Sequence, residues 1–320
     1  MKVALFGARG YLGGRIAAHL TEEGHDVIAV SRRPGPPPPW LKVKRVLAWT
    51  GKGAERFRQA LGPVDAALLL SAPNEIDAAR NPVEALQVGG EWTWATLDLL
   101  AHLPPPRVLF FSTFHVYGAH ARGVLREDTP PAPGHPYALG RYLGECVADY
   151  FRSNKGLPVL RLRLSNAMGA PADVSVPRWS LLFNDLCDQV VRTGKIVLKS
   201  PGNQKRNFIT LEDTARAVSF LLRRPKRWPD QGLLHVGHPR AMTLREAAES
   251  VAGVAQKIWG VSVPVEIPAM TPRAPSWTFS VQRLQRMGFS WRNRIEWEIE
   301  STLRLCRRSF LGKTKIPISR

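Results

Sequence analysis

The most constraining feature is a glycine-rich stretch at the start of the chain, Lys2-Val3-Ala4-Leu5-Phe6-Gly7-Ala8-Arg9-Gly10-Tyr11-Leu12-Gly13. An apolar run typical of a buried strand leads straight into the glycines and then into a helical pattern. Glycines at this spacing let the backbone turn tightly beside a pyrophosphate, and the N–H groups at the helix start attract that anion. The stretch predicts a dinucleotide site formed by Gly7, Arg9, Gly10, Tyr11, Leu12 and Gly13, with an ordinary strand-to-helix turn as the alternative.

The first half of the chain alternates between strand and helix patterns, which favours a parallel sheet covered by helices on both faces. Strand patterns lie near residues 2–6, 26–30, 43–48, 65–70, 107–111 and 158–164. Helical patterns lie near residues 12–23, 54–61, 83–103 and 137–153. Right-handed crossovers would make this an α/β fold with a Rossmann-type, doubly wound sheet.

After about residue 169 the pattern changes to helices near 179–193, 211–222, 244–259 and 294–305, separated by short apolar or proline-rich pieces. We therefore predict a dinucleotide-binding domain over residues 1–168 and a smaller, mixed α/β substrate lobe over 169–310. A basic tail would follow at 311–320. The helix near 211–222 is expected to pack back on the first domain.

Composition limits the cellular locations and the binding partners that we expect for this protein. No apolar stretch is long enough to span a membrane, and we expect no signal peptide, because the first strand pattern begins at Lys2. Three widely spaced cysteines predict neither a disulfide framework nor a metal site, which favours a cytoplasmic location. The net charge of +19 favours anionic ligands. Its basic residues are scattered and not interleaved with aromatic ones, so a phosphate-bearing substrate is favoured over nucleic acid.

The end of the second strand pattern bears on cofactor choice. An acidic residue there would bind the ribose of NAD, whereas arginine accommodates the extra phosphate of NADP. The chain has Ser31, Arg32 and Arg33 at this point, and Arg9 lies in the glycine turn. Guanidinium groups suit phosphate oxygens, so we predict that NADP(H) is preferred and keep NAD(H) as the alternative.

Two later segments carry groups for proton transfer. Thr113 and His115 follow a buried strand pattern, where ligands bind in open α/β folds. Tyr137 and Arg141 are four residues apart and share a helix face. A cation beside a phenol lowers its pKa, so Arg141 would help Tyr137 to exchange a proton near neutral pH.

Together these motifs resemble the extended short-chain dehydrogenase/reductase family of NAD(P)-dependent sugar-nucleotide epimerases, dehydratases and reductases. Residues 7–13 match its glycine fingerprint, residues 113–118 match its Ser/Thr-x-x-Val-Tyr-Gly element, and 137–141 match Tyr-x-x-x-Lys. The resemblance implies that Thr113 and Tyr137 are catalytic. It places Leu70, Ser71 and Ala72 beside the cofactor, gives Asn166 and Arg206 to the substrate with Arg206 on its diphosphate, and implies a homodimer.

The sequence departs from that family at two places. Arg141 replaces the family lysine that holds the nicotinamide ribose, and it offers charge and donors but no proton relay. Residues 92–96 read Trp-Thr-Trp-Ala-Thr where the family usually has Asn and Gly. We expect altered packing there, behind the catalytic helix.

The sequence leaves three functions open. We prefer NADPH-dependent reduction of a keto-sugar attached to a nucleoside diphosphate, because the arginines favour NADP. The alternative is an epimerase that returns the hydride to the same sugar; a dehydratase is less favoured, because no acidic pair follows Thr113. The third is a non-catalytic dinucleotide-binding protein, prompted by Arg141 and the high charge. In all three, His115 is expected to line the substrate site.

Overall fold

A computed structural model of the chain describes residues 1–103, 107–176, 178–269 and 277–309. The predicted basic tail lies outside the described residues. No helix in these described ranges is both long and apolar enough to cross a lipid bilayer.

The structure alternates strands and helices over its first half and mixes them over its second. The strands are β1 (Lys2–Phe6), β2 (Asp26–Ser31), β3 (Arg45–Ala48), β4 (Ala66–Leu69), β5 (Val108–Thr113), β6 (Gly123–Leu125), β7 (Val159–Leu164), β8 (Asn166–Met168), β9 (Ile196–Val197), β10 (Lys205–Thr210), β11 (Leu233–Val236), β12 (Ala241–Thr243), β13 (Val265–Glu266) and β14 (Trp277–Phe279). The α-helices are α1 (Tyr11–Glu22), α2 (Ala54–Leu61), α3 (Glu75–Arg80), α4 (Pro82–Gln87), α5 (Thr93–Ala101), α6 (Pro136–Lys155), α7 (Leu182–Thr193), α8 (Leu211–Leu222), α9 (Leu244–Trp259), α10 (Gln282–Arg286) and α11 (Ile295–Ser309).

Seven parallel strands form the central sheet, in the order β11-β7-β5-β4-β1-β2-β3. Strands β2 and β3 are added on one side of β1, and the chain then crosses over to add β4 on the other side of β1. The crevice at this reversal of strand order is where open α/β sheets bind ligands, and Gly7 follows β1 there. The predicted doubly wound Rossmann-type fold is confirmed.

The sheet is buried on both faces because successive side chains of its central strands point in opposite directions. In β1, Val3 and Leu5 enter the apolar core on the α1 and α8 side, while Ala4 and Phe6 enter the core on the α2 and α5 side. All four are fully buried. This explains why the strands have continuous apolar runs rather than an alternating pattern.

The sheet takes one edge strand from late in the chain. Strand β11 pairs with β7, although the sequence pattern had given six strands ending near residue 164. Helix α8 contributes Ala215, Val218 and Leu221 to the core beneath α1. The domain boundary between residues 168 and 169 stays a prediction. Strand β11 and helix α8 follow that boundary in sequence but pack with the first domain.

One predicted helix is interrupted. The pattern over residues 83–103 predicts a single helix, whereas a five-residue π-helical segment, Val88–Trp92, lies between α4 and α5. Gly89 in that segment touches α6: a Cβ on Gly89 would lie 2.0 Å from the carbonyl oxygen of Gly140. The close approach places α6, with Tyr137 and Arg141, beside the end of the sheet.

The second lobe packs helices α7, α9 and α11 around its own apolar core. A small sheet of order β12-β10-β8 lies along that lobe, with β10 parallel to β8. A buried ion pair ties the lobe to α1: both guanidinium Nη atoms of Arg15 donate to Glu298, at 2.9 and 2.7 Å. Helix α1 is therefore tied to both lobes.

Candidate active site

The glycine turn forms an open anion site. Gly7 has φ +93°, and a Cβ on Gly13 would lie only 2.1 Å from the Gly7 carbonyl oxygen. Helix α1 begins after Gly10 with no side-chain cap and no acidic residue in its first turn. Its first N–H groups therefore remain available to a phosphate, and the residues present fit the pyrophosphate of a dinucleotide.

A cavity of about 470 Å³ extends from this turn along the carboxyl ends of the strands. Most predicted site residues line it: Gly7, Arg9, Gly10, Tyr11, Leu12, Gly13, Arg32, Leu70, Ala72, Thr113, His115, Tyr137, Arg141 and Asn166. Ser31 and Ser71 line an adjoining recess of about 220 Å³ together with Trp92. Arg33 lines neither cavity and is exposed.

The arginines predicted to bind a second phosphate do not converge. A guanidinium Nη of Arg32 pairs with the Glu84 carboxylate of α4 at 2.7 Å. Arg9 donates to the carbonyl oxygen of Pro36 at 3.0 Å. The Ser31 hydroxyl donates to the carbonyl oxygen of Arg33. Each of the two arginines at the cavity thus already has a protein partner, which sequence spacing alone does not reveal.

Thr113 and Tyr137 come together at the centre of the cavity. Thr113 is the last residue of β5, and its hydroxyl accepts a hydrogen bond from the His115 backbone N–H at 3.3 Å. The Tyr137 phenol lies near enough to the Thr113 hydroxyl for that hydroxyl to lower the pKa of Tyr137 slightly, and both side chains line the cavity. Tyr137 lies in the first turn of α6, whose N-terminal cap is the His135 imidazole. Strand β5 and helix α6 therefore deliver two hydroxyl groups to one point.

Arg141 is buried beneath Tyr137. It donates from Nη1 to the Ser71 carbonyl oxygen at 3.0 Å, and its guanidinium carbon lies 4.7 Å from the centre of the Phe110 ring. These contacts fix the side chain against the end of β5. Arg141 keeps its charge next to the phenol, as the (i, i+4) spacing predicts.

The predicted lowering of the Tyr137 pKa is wrong for the protein alone. Burial raises the pKa of Tyr137 above its ordinary value, the Glu75 carboxylate raises it further, and Arg141 opposes the two. The sequence analysis counted only the cation on the same helix. The carboxylate that outweighs it comes from α3, where no pattern had predicted an element.

A second cavity of about 260 Å³ continues from the first into the second lobe. It is lined by Arg206 and Phe208 of β10, and it shares His115 and Asn166 with the first cavity. The Asn166 amide donates to the Asn207 carbonyl oxygen at 2.9 Å. Within the described ranges no carboxylate pairs with Arg206, so its charge faces the cavity. Cations of this kind suit a diphosphate.

Comparison with known proteins agrees with this geometry. The family model described as "NAD dependent epimerase/dehydratase family" matches residues 3–237, more than half of the chain. The chain belongs to this family. The family resemblance predicted from the glycine turn and the two hydroxyl-bearing motifs is confirmed.

Curated relatives and solved structures extend the similarity over most of the chain. A UDP-glucose 4-epimerase from Lactobacillus helveticus is 22% identical over 281 residues, covering 82% of this chain and 83% of that protein. UDP-N-acetylglucosamine 4-epimerase from Methanobrevibacter ruminantium, in complex with UDP-N-acetylmuramic acid, superposes with a TM-score of 0.80 at 18% identity, covering 96% and 98% of the two chains. UDP-glucuronic acid 4-epimerase from Bacillus cereus, in complex with NAD, gives a TM-score of 0.78 at 18% identity, covering 96% and 99%.

In this family member, an ion pair that the sequence analysis missed lies between the two cavities. Glu75, the first residue of α3, lines both cavities and accepts a hydrogen bond from Arg178 of the second lobe at 2.9 Å. Asn74 caps α3 by accepting from the N–H groups of Ile76 and Asp77. The Asn-Glu-x-Asp sequence is a helix-start signal that could have revealed α3, although not the partner of Glu75.

A buried polar network supports β5 from behind. The Glu145 carboxylate of α6 accepts hydrogen bonds from Ser112 and, at 2.7 Å, from Arg163 of β7. Arg163 also donates to the Tyr117 hydroxyl at 2.7 Å. Tyr117, the tyrosine of the residue 113–118 motif, therefore has a structural role here. The network fixes β5 and α6 relative to each other, and hence Thr113 relative to Tyr137.

Metal binding has no support in the part of the chain that the structure describes. No group of three or more histidine, cysteine or acidic side chains is arranged there as a metal site. Two carboxylates that line the first cavity instead pair with arginines: Glu75 with Arg178 and Glu84 with Arg32.

Proposed function

We propose that this protein is an NAD(P)-dependent epimerase of a nucleoside diphosphate sugar. One observation carries the proposal: the cavity that holds the glycine turn, Thr113 and Tyr137 continues at His115 and Asn166 into a second cavity lined by the cation Arg206. A dinucleotide on one side and a sugar diphosphate on the other would meet at Thr113 and Tyr137. The predicted net reduction of a keto-sugar is not confirmed, and the related epimerases favour the alternative that we had kept open.

The residues divide the chemistry between them. A nicotinamide ring held at the glycine-turn cavity would supply the hydride acceptor and donor that epimerisation requires. Tyr137 takes the proton of the sugar hydroxyl at its phenolic oxygen and gives it back after the return. Thr113 hydrogen-bonds the same sugar oxygen and holds it against Tyr137. Arg141 stabilises the phenolate and Arg206 holds the diphosphate.

Incubation of the purified protein with UDP-glucose and with UDP-N-acetylglucosamine, each with NAD, tests the proposal. We expect the 4-epimer of at least one substrate by proton NMR, with no net change in cofactor absorbance, because the hydride is returned. Consumption of NADPH by a 4-keto-sugar nucleotide, with no epimer formed from either sugar, would restore net reduction as the function.

We further propose that the Arg32–Glu84 pair sets the choice between NAD and NADP. Arg32 stands where the extra phosphate of NADP is bound in this fold, but Glu84 holds its guanidinium and adds a negative charge. Glu84→Gln releases Arg32 and is expected to raise NADPH affinity about threefold relative to NADH, since a solvent-exposed ion pair is worth about 0.2–1 kcal/mol. Titration of nicotinamide fluorescence measures both affinities.

Glu91→Gln is the matched control for that substitution. Glu91 is an exposed carboxylate of the neighbouring π-helical segment and lines neither cavity. Its removal should leave the NADPH/NADH ratio unchanged. Equal ratios in the wild-type and Glu84→Gln proteins would show that the Arg32–Glu84 pair does not set the cofactor choice. The homodimer and the cytoplasmic location stay predictions, the first of them open to sedimentation analysis.

A further inference from the structure

A basic surface lies at the edge of the central sheet opposite the two cavities. Helix α1 begins beside the glycine turn and ends at Glu22, about 18 Å away at the rise of an α-helix. At that end, the Ser219 hydroxyl and the Arg223 guanidinium at the end of α8 both donate to the Glu23 carboxylate. The loop after α8 leads into the start of β11, so it lies at the amino ends of the parallel strands.

This loop and the end of α10 bring exposed cations together around a tryptophan. A single 3-10 turn, Pro225–Arg227, follows α8. The guanidinium of Arg227 lies 3.5 Å from the Met287 carbonyl oxygen, which brings Arg286 of α10 beside the turn. We call this surface the α8 patch, and its members are Arg224, Lys226, Arg227, Arg286 and Trp228.

In the described part of the chain, the cations of the α8 patch have no acidic partner. None of its four cationic side chains lies within ion-pair distance of a carboxylate there, and all four are exposed. The arginines at its border are paired: Arg223 lies 3.3 Å from Glu23, and Arg283 lies 3.4 Å from Glu127. One exposed carboxylate, Asp230, follows in the same loop. The patch therefore carries a net positive charge that attracts an anionic partner.

Aromatic rings lie among the charges of the α8 patch. Trp228 is half-buried, and its indole N–H donates to the Leu221 carbonyl oxygen at 3.1 Å. The guanidinium carbon of Arg224 lies 4.2 Å from the centre of the half-buried Phe220 ring, a cation–π contact. Tryptophan flanked by arginine and lysine is the combination that proteins place at the headgroup level of a bilayer.

We propose that the α8 patch docks this protein on an anionic phospholipid surface. The four cations would contact lipid phosphates, and both cavities would open at the opposite edge of the sheet, away from the lipid. A nucleic acid fits less well, because the described part of the patch presents neither a helix that could enter a groove nor a row of rings for base stacking. Docking goes beyond the proposed function and does not depend on it, since no member of the patch lines either cavity.

Co-sedimentation with vesicles measures docking of the full chain. One set of vesicles contains phosphatidylglycerol and phosphatidylcholine in equal parts, and the other contains phosphatidylcholine alone. We expect binding to the anionic vesicles alone, and we expect it to weaken as salt is added, because salt screens exposed charges. Equal binding to both kinds of vesicle, or binding to neither, overturns the proposal.

Two triple variants with the same net charge separate the α8 patch from the general charge of the protein. The test variant carries Arg224→Gln, Lys226→Gln and Arg227→Gln. The control variant carries Lys52→Gln, Arg56→Gln and Lys199→Gln. The control residues are exposed and lie outside the patch. We expect the test variant to bind anionic vesicles about 100-fold more weakly, at about fivefold for each lost cation, and the control to bind nearly as the wild type does. Equal losses in the two variants would assign binding to net charge and overturn the proposal.

Hydrogen–deuterium exchange of the unmodified protein gives a second readout that does not require a variant to fold. On anionic vesicles, the backbone N–H groups of residues 223–228 should exchange more slowly than in solution, while those of residues 52–56 should exchange equally fast. Slowed exchange elsewhere without any at residues 223–228 contradicts the proposal. Binding of a DNA duplex that the test variant loses, with no binding to vesicles, would assign the α8 patch to nucleic acid and overturn docking on lipid.

Discussion

Tyr137→Phe is expected to lower turnover by about 10³-fold while leaving nicotinamide binding intact, in line with the 10²–10⁴-fold typical of a lost general acid or base. The substitution removes the hydroxyl that, in the proposed function, exchanges a proton with the sugar oxygen. The ring stays in its packed position at the start of α6, against His135 at 6.0 Å between ring centres. Steady-state rates with the best UDP-sugar, and cofactor titration of the same preparation, measure the two effects separately.

Tyr150→Phe is the control for that experiment. Tyr150 lies on the same helix, about three and a half turns from Tyr137 by α-helical spacing, and stacks on Trp94 with its ring partly exposed. Loss of its hydroxyl should change neither rate nor binding. Full activity in Tyr137→Phe would contradict the role proposed for Tyr137. A wild-type protein that binds cofactor yet turns over no sugar nucleotide would favour the hypothesis of a non-catalytic dinucleotide-binding protein.

The sheet and the glycine turn could be predicted from the sequence because their signals are local. The apolar run of β1 and the glycines after it depend on neighbours within a dozen residues, and the end of β5 at Thr113 follows an equally clear pattern. Residues at the carboxyl ends of parallel strands must meet at one edge, and in the structure Thr113 and Gly7 line one cavity there.

The electrostatics of the site could not be predicted in the same way, because they depend on groups that are far apart in sequence. Arg141 is visible beside Tyr137 on one helix, but burial, together with Glu75 from α3, raises the pKa of Tyr137 more than Arg141 lowers it. Arg32 is visible after β2, but its partner Glu84 is fifty-two residues away. Spacing within one helix predicts which residues share a face of that helix. It does not predict which charged side chains from distant parts of the sequence pair with them.

The interrupted helix shows a similar limit. Periodicity over residues 83–103 fits one long helix, and only the packing of Gly89 against Gly140 explains the π-helical segment. The departure noted at residues 92–96 lies at the end of this segment. There the Trp49 indole N–H donates to the Thr96 hydroxyl at 2.8 Å. This buried hydrogen bond joins the residue after β3 to α5 at one of the positions where the sequence departs from the family.

Gly13→Ala is expected to abolish cofactor binding and to destabilise the fold by about 3 kcal/mol, the upper end of the usual cost of overpacking. The added methyl would lie 2.1 Å from the Gly7 carbonyl oxygen and 2.8 Å from the Ala8 Cα, both backbone atoms that cannot rotate away. Relief requires α1 to move away from β1. That movement displaces the N–H groups that face the pyrophosphate, so stability and affinity fall together.

Gly253→Ala separates this clash from a general effect of alanine. Gly253 lies in the interior of α9 with nothing within 4 Å of an added Cβ, so the substitution should stabilise the protein by about 0.5–1 kcal/mol through helix propensity. Chemical denaturation and NADH fluorescence titration of both variants give the comparison. Normal cofactor binding by Gly13→Ala would contradict this prediction, because it would mean that the turn after β1 can accommodate a Cβ at residue 13. The pyrophosphate would then have to be held by groups other than the first turn of α1.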